Sequence, residues 1–183
     1  ITLGGVTYTA DATEISAPQA GIRTLSGLEA FTALTKLELS GNSVTDLSPL
    51  SGLSALRSLG LDGNGISDIS ALSGLTGLET LSLRDNQMAG SAAFSGLTGL
   101  RALYLDRNYN LIDLSGLSGL TQLQTLSAAY CGLTQVEALS SLTELTYLDL
   151  SGNSIFDVEC LKGLTKLKTL KLENTNLTPD QIQ

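Results

Sequence analysis

The leucines of this chain fall on a fixed frame. From Leu34 to Asn42 the chain reads LTKLELSGN, with Leu at the first, fourth and sixth places and Asn at the ninth. The spacing returns at Leu56, Leu59, Leu61 and Asn64, at Leu78, Leu81, Leu83 and Asn86, at Leu100, Leu103, Leu105 and Asn108, and at Leu145, Leu148, Leu150 and Asn153. Two weaker copies begin at Leu123, with Cys131 in the ninth place, and at Leu167, with Thr175 there. Starts at 34, 56, 78, 100, 123, 145 and 167 set a period of 22 residues with one 23-residue step. Side chains alternate along a strand, so the leucines of the fourth and sixth places face inward and the third, fifth and seventh places face out. A unit this short cannot bury its own apolar face. Neighbouring units must stack into one continuous coil.

Beyond each Asn the frame continues through Val44, Leu47, Leu50 and Leu53, echoed by Ile66, Ile69, Leu72 and Leu75. Spacings of three predict a tight 3-10-like turn facing inward, not a long helix. Asp46, Asp68, Asp113 and Asp157 precede that segment, where a carboxylate can accept backbone N–H bonds. A metal reading of the four is weaker, because they lie one per coil at one structural place. The ninth-place amides of Asn42, Asn64, Asn86, Asn108 and Asn153 can donate and accept, and the pattern predicts a buried ladder linking successive turns. Cys131 and Thr175 keep a weaker donor there. Ser91 stands where Leu47 and Ile69 stand, and the coil from Leu100 holds one extra residue within 109–113, expected to bulge outward.

The unit, with its run LSGNSVTDLSPLSGLSAL from Leu39 to Leu56, resembles the leucine-rich repeats typified by bacterial internalins and by the regulatory subunit of a eukaryotic protein phosphatase. The resemblance implies an α/β leucine-rich-repeat solenoid of about eight coils, with parallel strands on the concave face and turns and short 3-10 segments on the convex face. The Ser, Thr and Gly filling and the T-L-T and S-G-L links look more like the bacterial surface proteins. What the family implies is recognition of a protein by side chains of the strand face, with aromatic residues there. The matching positions are Tyr104 and Tyr147.

One domain is expected over 1–183. Residues 1–11 lie outside the frame and, with a β-type alternation from Val6 to Thr9, are expected to cover the open first coil. The repeats run over 12–177. Thr178 and Pro179 read as the start of a helix, so 178–183 is expected to begin a truncated C-terminal cap. Aromatics are 4% with no Trp, which leaves Leu to build the core. The formal charge of −8 repels a phosphate backbone, so nucleic acid is not expected as a partner. No apolar run approaches the ~18 residues of a membrane span. The chain starts at Ile1 without Met, compatible with a signal segment removed upstream. Two cysteines, Cys131 and Cys160, sit on opposite walls of the coil and are expected to be free.

With no His in the chain, Ser-His and Cys-His pairs and imidazole zinc ligands are absent. The carboxylates lie on an open surface without the dry cleft that shifts pKa values. An enzyme is not expected, nor a cofactor or a metal. Asp62 to Asp68 faintly resembles a calcium loop but lacks the bidentate Glu. The reading is a non-catalytic protein-binding module of a bacterial cell-surface or secreted protein, extracellular and monomeric. The alternatives are an intracellular adaptor that holds an enzyme and a structural spacer with no ligand. Four of the five tyrosines, Tyr104, Tyr109, Tyr130 and Tyr147, fall among Arg84, Arg107, Asp106 and Asp149. Tyr and Arg dominate many interfaces. Tyr104 and Tyr147 are therefore expected to anchor a partner, with Arg84, Asp106, Arg107, Tyr130 and Asp149 around them, and the flank at Tyr109, Ile112 and Phe156 is the rival site. For the charged row of Asp62, Arg84 and Asp106 taken alone, mutual pairing on a solvated face is the plainer reading.

Overall fold

The computed structural model describes residues 1–181. Ile182 and Gln183, the end of the segment read as a C-terminal cap, lie outside the described residues. A short antiparallel hairpin, β1 (Thr2–Leu3) and β2 (Val6–Thr7), comes first. Eight strands then form one parallel sheet in chain order: β3 (Glu14–Ser16), β4 (Lys36–Glu38), β5 (Ser58–Gly60), β6 (Thr80–Ser82), β7 (Ala102–Tyr104), β8 (Thr125–Ser127), β9 (Tyr147–Asp149) and β10 (Thr169–Lys171). The chain is an α/β leucine-rich-repeat solenoid of eight coils in which the helical half is reduced to 3-10 turns. Leu37 pairs with Leu59, Leu59 with Leu81 and Leu81 with Leu103, each one repeat away. Leu103 pairs with Leu126 across the longer step, so the extra residue is absorbed outside the strands. It lies in the turn after Asn108, where Tyr109 is 67% and Ile112 62% exposed.

The spacing of three has a direct physical cause. Leu50, Leu53 and Leu56 donate to the carbonyls of Leu47, Leu50 and Leu53 at 2.9 to 3.0 Å. Bonds of this reach eclipse residues three apart, which turns every third side chain toward the core. The leucines of strands and turns join one apolar cluster that runs from Leu3 to Leu164, each buried Leu contributing roughly 1.5–3 kcal/mol. The hairpin lies against the first coil: the Gly4 backbone abuts Ala17 and Ala20, and the Tyr8 hydroxyl donates to the Ser16 carbonyl at 3.1 Å. At the other end Leu170 is 43% exposed, and the Gln181 side chain accepts from the Thr178 N–H at 2.9 Å.

The ninth-place amides bridge consecutive coils. Asn108 Nδ2 donates to the carbonyls of Leu83 (2.9 Å) and Leu105 (2.7 Å), and its Oδ1 accepts from the Met88 N–H at 3.0 Å. Asn42, Asn86 and Asn153 are buried in the same arrangement, whereas Asn64 is only half-buried. At Cys131 the thiol donates to the Leu105 carbonyl at 3.3 Å but offers no oxygen in return. The N–H that would meet it is that of Leu111, twenty residues earlier, as Ile66 meets Asn86. Leu111 instead donates to the Asn108 carbonyl at 2.9 Å. The 23-residue coil and the missing amide are thus one compensated change. Both cysteines are free, and burial pushes the Cys131 thiol up to about 12, which leaves it inert.

Asp46, Asp68, Asp113 and Asp157 each accept the backbone N–H two residues on, at 2.8 to 2.9 Å. Bonds to the backbone and hydroxyl of Ser48 hold the Asp46 carboxyl below its ordinary 3.8, and those to Ser70 do the same for Asp68. A depressed folded pKa gives stability that is complete above the unfolded value and is lost as pH falls through the folded one. Thermal denaturation should therefore hold a constant midpoint above about pH 5 and decline below about pH 4. The Asp46→Asn, Asp68→Asn double variant should decline less steeply, and an identical slope would remove these turns from the acid response.

Candidate strand-face interface

Along the sheet the outward places carry mostly small residues. The fifth place reads Glu38, Gly60, Ser82, Tyr104, Ser127, Asp149 and Lys171, and the third reads Lys36, Ser58, Thr80, Ala102, Thr125, Tyr147 and Thr169. Tyr104 on β7 is flanked by Ser82 and Ser127, and Tyr147 on β9 by Thr125 and Thr169. Each ring therefore stands above its neighbours. Arg84, Tyr104, Thr125, Ser127 and Tyr147 line a shallow depression of about 230 Å³ across β8.

Both rings carry a cation. The Arg84 guanidinium lies 4.2 Å from the centre of the Tyr104 ring, and the Lys171 ammonium 5.5 Å from that of Tyr147. Arg84 Nε also donates to Asp106 Oδ2 at 2.7 Å, with Nη1 3.7 Å from Asp62. The two aspartates make the same cradle. Asp62 Oδ1 accepts from the Arg84 N–H and the Ser82 hydroxyl, and Asp106 Oδ1 from the Ala129 N–H and the Ser127 hydroxyl. The plainer reading of the charged row, mutual pairing, is what the structure contains. It does more than balance charge, because it holds the guanidinium over the Tyr104 ring. The Tyr147 hydroxyl and the Asp149 carboxylate hold the Lys171 ammonium above its ordinary value.

The seven residues singled out from the sequence separate into three groups. Arg84, Tyr104 and Tyr147 meet at the depression. Asp106 and Asp149, expected at its rim, are instead 6% and 9% exposed: Asp106 is bonded by the Ser127 hydroxyl and Ala129 N–H of the next coil, and Asp149 by the Ser151 N–H of its own. They position Arg84 and Lys171 and offer little surface. Arg107 and Tyr130 lie in the eighth place, where each strand has ended, with Arg107 bound to Asp85 through two bonds of 2.6 Å. Sequence reasoning missed Lys171, Asp85 and the floor of Thr125 and Ser127. Carrying the frame to Leu167 finds Lys171 in the fifth place, but nothing local marks Asp85. The rival flank is also present: Phe156 is 59% exposed, beside Ile112 and Tyr109 at the values given above.

Residues 14–182 match the model of a leucine-rich repeat region. The chain belongs to the leucine-rich-repeat family. Among solved structures, internalin C2 of Listeria monocytogenes is 34% identical with a TM-score of 0.89, over 91% of this chain and 73% of that one. Internalin F of the same organism is 32% identical with a TM-score of 0.77, over 91% and 55%. TLR13, in its complex with ssRNA13, is 28% identical with a TM-score of 0.77, over 91% of this chain and 25% of that one. No curated protein matches the chain in sequence. This leucine-rich-repeat chain is therefore internalin-like, on a fold whose general use is protein interaction. Among the described residues no helix is long and apolar enough to cross a membrane, and no group of three or more His, Cys, Asp or Glu could hold a metal.

Proposed function

We propose that the chain is a non-catalytic module of a secreted or cell-surface bacterial protein, and that it binds a protein partner on its concave strand face. One observation carries this reading: two tyrosine rings, each backed by a cation, stand above a floor of serine and threonine two strands apart. Rigid aromatic side chains with directed polar neighbours concentrate binding energy, and here Asp106 and Asp149 fix the cations in advance, which lowers the ordering cost of association. The acidic balance of the chain, −8, supports a protein over a nucleic acid, because phosphates would be repelled.

The experiment is to crosslink the module to candidate surface-protein extracts, purify the partner and measure binding by calorimetry. The Tyr104→Ser, Tyr147→Ser double variant should bind roughly 30- to 1,000-fold more weakly, about 2–4 kcal/mol. Its melting temperature should stay within a few degrees, since neither ring joins the apolar cluster. A double variant with unchanged affinity, alongside a Phe156→Ser variant that loses binding, would move the site to the flank of Tyr109, Ile112 and Phe156. Failure to recover any partner would favour the spacer reading.

A further inference from the structure

The eighth place of every repeat has left-handed backbone. Glycine meets this demand at Gly41 (φ 72°), Gly63 (61°) and Gly152 (70°). Three consecutive coils between them do not use it: Asp85 has φ 53°, Arg107 61° and Tyr130 53°. A side chain in this region costs about 1–2 kcal/mol relative to glycine, least for Asp. The backbone gains nothing in return. The eighth-place N–H donates to the next coil at 2.7 Å from Gly41, 2.8 Å from Gly63 and Gly152, 2.9 Å from Asp85 and Arg107, and 2.8 Å from Tyr130. Nor do these side chains enter the core. Arg107 and Asp85 are each 44% exposed, Tyr130 is 46% exposed, and its ring lies over Gly152, where a Cβ would come within 2.3 Å of it. The other departures are Gln19 and Asn174, in the first and last coils. Gln19 lies across Gly41, and Asn adopts this conformation with little strain.

We propose that Asp85, Arg107 and Tyr130 form a second contact ridge along the ends of strands β6 to β8, kept at the expense of fold stability for a folded protein partner with a basic contact surface. The proposal rests on the strand-face reading and extends it. The coils that bear the strained residues also bear Arg84, Tyr104 and the floor of Thr125 and Ser127, so the ridge borders the depression on one side. From the third place of a strand to the eighth is about 17 Å, and from β6 to β9 about 14 Å. A contact nearly as wide as it is long suits a folded surface better than a single extended peptide, which would follow one track. The charge of the partner follows from the local balance. Asp62, Asp85, Asp106 and Asp149 stand against Arg84, Arg107 and Lys171, each already paired with a carboxylate. The potential left over is negative and draws a cation.

Two measurements test the ridge on the intact chain. In the first, Arg107→Gly and Tyr130→Gly are compared with wild type and with Arg107→Ala and Tyr130→Ala by thermal unfolding. The glycine variants should melt at or above the wild-type temperature, and above the alanine variants by about 2–4 °C. If they melt several degrees below wild type, the salt bridge to Asp85 and the packing on Gly152 are structural and the ridge is overturned. In the second, the ¹⁵N-labelled chain is titrated with N-acetyl-arginine amide and, separately, with N-acetyl-aspartate amide. The arginine probe should shift the amides of Asp85, Arg107 and Tyr130 saturably, and the shifts should vanish in the Asp85→Gly, Tyr130→Gly double variant, which removes the carboxylate and the ring. Equal shifts with the aspartate probe, or none at the ridge, overturn the proposal. Shifts confined to Tyr104 and Tyr147 would do so while leaving the strand-face site standing, whereas shifts at neither place would count against both.

Discussion

Replacing Asn108 with Ala is expected to lower the unfolding free energy by about 2–6 kcal/mol, because each buried backbone group left without a partner costs about 1–3 kcal/mol. Asn108 is fully buried and serves the carbonyls of Leu83 and Leu105 and the N–H of Met88; the Leu105 carbonyl keeps the Cys131 thiol as a donor, so the Leu83 carbonyl and the Met88 N–H are the two groups left without a partner. Asn108 and these two groups belong to successive coils, so the loss loosens a joint between units whose stability depends on nearest-neighbour contact. The matched substitution Asn64→Ala should cost less, because Asn64 is half-buried and water can reach the groups it leaves. Urea denaturation of both variants checks the ranking. Equal losses would show that the amide acts through local turn geometry and not through buried hydrogen bonds.

Phe94→Ala should destabilise by about 3–5 kcal/mol through the cavity it leaves. Phe94 is fully buried and takes the place that Leu50, Leu72 and Leu139 hold in their coils. Its size fits its neighbour. Ser91, three residues earlier and bonded to Phe94 through its carbonyl at 3.0 Å, replaces the Leu47 or Ile69 of other coils and frees apolar volume on the eclipsed position. Ser91 is buried because its hydroxyl is used twice, donating to Asp113 at 3.0 Å and accepting the Gly116 N–H at 2.9 Å. Gly116 cannot carry a side chain there, since a Cβ would fall 1.8 Å from the Ser91 carbonyl oxygen. If the ring fills the space that Ser91 vacates, Phe94→Leu should still cost about 1 kcal/mol, although it restores the residue other coils use. A Phe94→Leu variant as stable as wild type, measured by the same denaturation, would rule out that exchange of volume.

The candidate site was legible only as far as its residues depend on the frame. Tyr104 and Tyr147 could be placed on the outward face because alternation along a strand is local. Asp106 and Asp149 share that alternation, yet they are buried. For Asp106 this is decided by the Ser127 hydroxyl and the Ala129 N–H of the next coil, 21 and 23 residues away in sequence, whereas Asp149 is bonded by the Ser151 N–H of its own coil. Lys171 belongs to the site through the same long separation, since it reaches Tyr147 from the neighbouring strand.

By itself the sequence determined the solenoid. A period of 22 residues carries the strand, the inward leucines, the bridging amide and the 3-10 turn, and each follows from short-range geometry that recurs in every coil. It determined the outward positions of Tyr104 and Tyr147 as well. Only the tertiary structure decided three things. It set the Arg84 guanidinium against the Tyr104 ring, it joined the extra residue of one coil to the missing amide of the next, and it put Asp85, Arg107 and Tyr130 in left-handed backbone that glycine occupies elsewhere. These depend on what stacks on what. Contacts between coils are set by residues a full period apart, and a pattern that names each coil's own core leaves the choice of neighbours' side chains free.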